Sequence, residues 1–194
     1  MWTLPANWFA APRPSDMSTV LILPGWQGSG PDHWQMHWVR QHGYTVVEQD
    51  DWMRPRRGDW LARLDEVVID TPGRLVLAAH SLGCIQVAAW AAVSRHTARV
   101  AGALLVAPGD VERPDLREQL PGWSPIARQK LPFSSILVGS QNDPFCSAER
   151  AQDLARDWGA EWVDLGSAGH INAETQLEGW PVGQAQLSRL TKET

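Results

Sequence analysis

Only two cysteines, Cys84 and Cys146, occur in 194 residues. That is too few for a disulfide scaffold, and both are expected as free thiols in a reducing compartment. Positive charge is also scarce: 17 Lys and Arg against 22 Asp and Glu leave a formal net charge of −5. A nucleic-acid-binding surface normally needs a basic face, so no nucleic-acid partner is expected. The one dense basic cluster, Arg54, Arg56 and Arg57, reads as the solvated start of a helix rather than an anion site. No apolar run approaches the roughly 20 residues of a membrane-spanning helix. The opening MWTLPANWFAAPRP is interrupted by Pro and Asn and lacks a charged leader region, so it does not read as a secretory signal. The absences together point to a cytoplasmic protein with no membrane partner.

What is plentiful is tryptophan, with twelve in the chain. Composition alone leaves open whether they form thick aromatic packing or line a pocket. The length suits one domain with a substantial core. Residues 1–17 read as an irregular N-terminal arm, and 18–194 as a single domain. Short apolar, β-rich runs are expected as strands at Thr19–Leu23, Tyr44–Glu48, Leu75–Ala79, Val100–Val106, Ser135–Val138 and Glu161–Leu165. Runs such as LVLAA do not alternate in polarity, as strands covered on both faces do not. Helices are expected between them, at Asp32–Gln41, Asp59–Ile69, Leu82–His96, Ser147–Trp158 and Gly183–Leu190. Strands alternating with helices of this length predict a parallel α/β sheet. The proline-rich stretch Pro108–Phe133 reads as a loop-rich insertion or small cap within the domain.

In an open α/β sheet, functional groups gather beyond the carboxyl ends of the strands. One such end carries A-H-S-L-G, at Ala79–Gly83, between a strand-like and a helix-like run. This is G-x-S-x-G with alanine in the first glycine's place. The motif needs small residues two places either side of the serine, because the turn is too tight for larger ones. Ser81 is therefore the candidate nucleophile, with helix capping as its simpler role. A serine needs a base, normally a histidine held by an acid. His33 and His37 stand four apart, but DHWQMH lacks the glutamate of a metal-binding H-E-x-x-H helix, so they read as a helix-face pair and no metal is expected. His42 and His96 sit near helix ends, and His80 is aimed away from the neighbouring serine hydroxyl. That leaves His170, in the GSAGHIN loop after the last strand. For the acid, Asp143 in SQNDPF follows one strand, and its rival Asp110 in APGD follows the strand before. The order Ser81, Asp143, His170 matches that of α/β-hydrolases.

LPGWQGSGPDHW, AHSLG, GSQNDPF and GHIN each resemble stretches of the small serine-hydrolase family that includes the vertebrate retinoblastoma-binding hydrolase and bacterial relatives. The resemblance runs from about Thr19 to the C-terminus. It implies a three-layer α/β-hydrolase fold whose six-stranded parallel sheet has the order 2-1-3-4-5-6. It also implies Ser81, Asp143 and His170 as the triad, and no cofactor. The retinoblastoma-binding L-x-C-x-E motif is missing, since Leu82–Gln86 ends in glutamine, so that partner is not expected. The backbone N–H of Leu82 and, from the first loop, that of Trp26 are the expected oxyanion donors. Trp26 and Trp123 are expected to shape a pocket for a small acyl substrate. The reaction expected is ester hydrolysis, with amides less favoured. Acyl transfer on the same triad, or a binding protein that keeps the fold, are the alternatives.

Overall fold

A computed structural model describes residues 18–192; the arm expected over residues 1–17 lies outside the described residues. Among the described residues, six parallel strands form one sheet in the order β2-β1-β3-β4-β5-β6, the order the resemblance implies. The strands are β1 (Thr19–Leu23), β2 (Thr45–Val46), β3 (Leu75–His80), β4 (Val100–Val106), β5 (Ser134–Gly139) and β6 (Glu161–Asp164). Among the described residues six α-helices accompany them: α1 (Trp34–His42), α2 (Arg57–Asp70), α3 (Leu82–Ala91), α4 (Pro114–Gln119), α5 (Ala148–Trp158) and α6 (Pro181–Lys192). None is long and apolar enough to cross a membrane.

Strand side chains alternate between two cores. Leu21, Leu23, Leu75, Leu77 and Ala79 join one core with Trp60 and Leu64 of α2, Ile85 of α3 and Leu154 of α5. Val20, Ile22, Val76 and Ala78 join the other with Trp34 and Trp38 of α1 and Leu187 and Leu190 of α6. Both faces of the sheet are thus dry over its centre, which explains why β1, β3 and β4 are apolar almost throughout.

Among the described residues most of the tryptophans serve packing, which answers the question that composition leaves open. Trp34, Trp38, Trp60, Trp90, Trp123 and Trp158 are fully buried. Trp34 lies edge-on to Trp38, with centroids 4.5 Å apart, and Trp180 stacks on Trp38 at 5.8 Å. Buried indoles need an acceptor for their N–H. Trp38 finds the Gly179 carbonyl at 2.8 Å and Trp158 that of Ala127 at 2.7 Å.

Several element boundaries differ from the sequence expectation, for local reasons. The edge strand β2 shrinks to two residues, pairing Leu21 with Thr45 and Ile22 with Val46. Helix α3 stops at Ala91 rather than His96, because the Ser94 hydroxyl donates to Asp65 and accepts the His96 N–H. Such side-chain bonds compete with helix continuation. Helix α6 starts two residues early, at Pro181, since proline is tolerated in a first turn. Within the proline-rich stretch 108–133 the chain forms α4, which also opens on a proline.

Candidate active site

Ser81 stands at the junction of β3 and α3 with φ 54° and ψ −119°, a conformation that L-residues rarely adopt. The close fit around it accounts for the small residues in the motif. A Cβ on Gly83 would lie 2.4 Å from the Leu23 carbonyl oxygen, and one on Gly25 would lie 2.8 Å from the Ser81 Cβ. The β1 loop therefore presses against the serine turn. The Ser81 N–H is tied to the Val106 carbonyl at 3.0 Å, which anchors the turn to β4.

Three loops deliver three side chains to one point. Ser81 Oγ lies 3.0 Å from His170 Nε2, and His170 Nδ1 lies 2.9 Å from both carboxylate oxygens of Asp143. A carboxylate only accepts, so Nδ1 carries the proton; in the neutral ring Nε2 is then free to accept from the serine hydroxyl. The Asp143 side chain is 2% exposed and that of His170 is 9% exposed, so solvent barely screens the pair. Asp143 Oδ1 also accepts the Phe145 N–H at 2.8 Å. The rival acid, Asp110, is turned elsewhere: it accepts from Arg150 at 3.2 Å and from the Glu112 N–H at 3.2 Å.

The loops that carry the acid and the base are stitched together by residues that sequence reasoning misses. Asn142 Oδ1 accepts the Gly169 N–H at 2.7 Å, and Ser140 Oγ accepts the Ala168 N–H at 2.9 Å. Two donors then pin the His170 loop from the sheet side. His80 Nε2 bonds the His170 carbonyl at 2.9 Å, and the Trp34 indole bonds the Ile171 carbonyl at 2.9 Å. The only sequence signal for these roles is proximity to the motifs themselves.

Two further imidazoles of the site, His33 and His80, are held neutral. Burial, reinforced by charge repulsion from His170, lowers His33 to about 3. Burial and the neighbouring His33 and His170 hold His80 well below the ordinary imidazole range. The expected His33–His37 helix-face pair is not formed: His33 precedes α1 as its cap, and its Nδ1 accepts the Gln35 N–H at 3.2 Å. Both cysteines are free and buried; burial pushes the Cys84 thiol up and raises Cys146 to about 12.

The serine opens into a cleft of about 390 Å³. Trp26 lines it, with its indole N–H fixed on the Met53 carbonyl at 3.0 Å. Among the described residues, no backbone hydrogen bond uses the N–H of Trp26 or Leu82. Trp123 does not line the cleft, contrary to expectation. It is 0% exposed, packs edge-on to Trp60 at 5.5 Å and donates to the Pro55 carbonyl at 2.8 Å. Its large apolar body is satisfied by the core. Val111, Leu116 and Leu120 from the 108–133 stretch form the apolar wall instead. A hollow of about 520 Å³ between Gln49–Trp60 and Glu118–Pro121 holds no serine–histidine pair.

The family model for serine hydrolases matches residues 20–189, and so spans the sheet and all three loops. The chain belongs to the serine hydrolase family. Solved structures agree with that placement. A YdeN-like hydrolase from Pectobacterium atrosepticum is 28% identical over 92% of each chain, with a TM-score of 0.79. The ydeN gene product of Bacillus subtilis is 19% identical over 89% of this chain and 98% of that one, with a TM-score of 0.72. A Bacillus cereus carboxylesterase shares the fold at 15% identity and a TM-score of 0.59, over 91% and 90% of the two chains. Among curated proteins no match is found. The serine hydrolase fold thus supplies the strand ends on which Ser81, Asp143 and His170 meet.

Proposed function

We propose that this serine hydrolase cleaves small, uncharged carboxylic esters through an acyl-enzyme on Ser81. The observation that carries the reading is the continuous chain Ser81 Oγ, His170 Nε2, His170 Nδ1, Asp143, with every link at 2.9–3.0 Å. In this reading His170 takes the hydroxyl proton as Ser81 Oγ bonds to the ester carbonyl carbon. The carbonyl oxygen becomes an oxyanion, held by the N–H groups of Leu82 and Trp26. One such donor is typically worth about 10²–10³ in rate. The intermediate collapses as the carbon–oxygen bond to the alcohol breaks, and the imidazolium returns its proton to the departing oxygen. Water, activated by His170 in turn, then releases the acid and restores Ser81.

Asp143 fixes the imidazole tautomer and offsets the positive charge that His170 carries between the two proton transfers. The strained Ser81 backbone supports the role, since strain of this kind collects where a side chain must be held in place. A panel of esters and amides of graded acyl length, run on the wild type and Ser81→Ala, tests the reading. Ester hydrolysis that depends on Ser81 is expected. A folded protein that turns over no ester overturns it.

A further inference from the structure

Among the described residues, four buried side-chain atoms lack a hydrogen-bond partner, on His33, Gln86, Arg150 and Gln184. Of these residues only His33 lines the cleft that holds Ser81. The protonation of its ring follows from its contacts. Nδ1 accepts the Gln35 N–H, and burial keeps the ring neutral, so the single proton sits on Nε2. Nε2–H is thus an unpaired donor on a residue only 4% exposed. A buried donor without a partner is costly, and one that a native fold keeps beside a cleft calls for a functional reason, such as a partner that arrives with the substrate.

The position of His33 says which part of a substrate it would meet. Its ring lies 4.6 Å from that of His80, which lies 4.8 Å from that of His170. It therefore stands on the cleft wall next to the histidines that flank the proposed base, the group that returns its proton to the departing alcohol. The apolar wall of Val111, Leu116 and Leu120 is left for the acyl chain. No Asp, Glu, Lys or Arg lines the cleft among the described residues, so nothing there would pair with a charged substrate.

We infer that His33 is a specificity-determining residue whose Nε2–H donates to a second oxygen on the leaving alcohol. The substrate class is then an uncharged ester between an apolar acyl group and an alcohol bearing an ether or hydroxyl oxygen one carbon beyond the ester carbon, as in glycol and polyol esters. The inference rests on the ester-hydrolase reading and refines it.

The test compares 2-methoxyethyl butyrate with its isostere n-butyl butyrate. Each kcat/KM is divided by the ester's own hydroxide-catalysed rate, which removes the difference in leaving-group reactivity. The wild type is expected to favour the methoxyethyl ester by roughly tenfold, the scale of one recovered hydrogen bond. His33→Asn keeps a strong helix cap but is too short to reach the same point, and is expected to bring the ratio close to one. A purely structural role would lower both rates and leave the ratio unchanged. A wild-type ratio near one, or the wild-type ratio persisting in His33→Asn, overturns the inference while Ser81-dependent turnover keeps the parent reading. If neither ester is hydrolysed, or turnover survives in Ser81→Ala, the parent reading fails and this one with it.

Discussion

The His80 ring, one residue before Ser81, reaches across to the His170 backbone and bonds its carbonyl oxygen at 2.9 Å. A carbonyl accepts only, so His80 Nε2 donates, and its buried ring stays neutral while doing so. The elbow formed by the sharp turn from β3 to α3 thus holds both the proposed nucleophile and, through His80, the loop of the proposed base.

His80→Phe removes that donor and strands a carbonyl. Misplacing a reacting group by about 1 Å can cost about 10²-fold, and a loss of roughly 10- to 100-fold in kcat is expected on that basis. His80→Gln supplies a side-chain N–H in a similar position and should recover most of it. Failure of Gln to outperform Phe, with both variants folded, would contradict a hydrogen-bonding role.

Asp143→Asn is expected to lower turnover by about 10⁴, because the amide can favour the wrong imidazole tautomer. Asp110→Asn keeps an acceptor oxygen but loses the charge that pairs with Arg150, and should cost about 1 kcal/mol of stability with activity largely kept. Steady-state kinetics and urea unfolding of both variants separate the two roles. The reverse pattern would move the acid to Asp110.

Gly83→Ala forces a Cβ to within 2.4 Å of the Leu23 carbonyl oxygen, which belongs to a central strand and yields poorly. Overpacking of this kind typically costs about 1–3 kcal/mol. Chemical denaturation is expected to show the loss, with a fall in fluorophosphonate reactivity as the elbow shifts. A Gly83→Ala variant as stable and reactive as the wild type would contradict the tight junction of β1 and α3.

Acid should destabilise the protein through its buried histidines. Unfolded imidazoles titrate at about 6.5, whereas His33 is lowered to about 3 and His80 lies well below the usual range. Below about pH 6.5 the unfolded chain binds protons that the folded chain refuses, so stability falls as pH falls. Each such histidine contributes on the order of 1 kcal/mol per pH unit, and the share of His33 ends near pH 3. Urea unfolding between about pH 7.5 and 5 should show this slope. His80→Gln, with nothing to titrate there, should show a shallower one. Equal slopes would contradict neutral burial of His80.

The sheet is legible in the sequence because its signals are local and redundant. Strands such as Leu75–His80 are apolar up to their last residue, and helices such as Ala148–Trp158 carry a serine cap and a glycine stop. The meeting of Ser81, Asp143 and His170 is also legible, since strand ends in a parallel sheet converge and the three fall in a familiar order. Positions set by tertiary packing are not. An aromatic ring in a loop-rich stretch points Trp123 to the cleft, yet its contacts with Trp60 and Pro55 lie 63 and 68 residues away in the chain. Spacing couples His33 to His37, whereas its role as a cap depends on where α1 begins. His80 faces away from the serine hydroxyl and so carries no signal of its own; its partner lies 90 residues on.

The central claim, that Ser81 is the nucleophile activated by His170, is tested most directly by fluorophosphonate labelling read by intact mass and peptide mapping. The wild type should gain a single adduct on Ser81, losing ester hydrolysis in step with labelling, and Ser81→Ala should gain none. Labelling or hydrolysis that persists in Ser81→Ala would contradict the account.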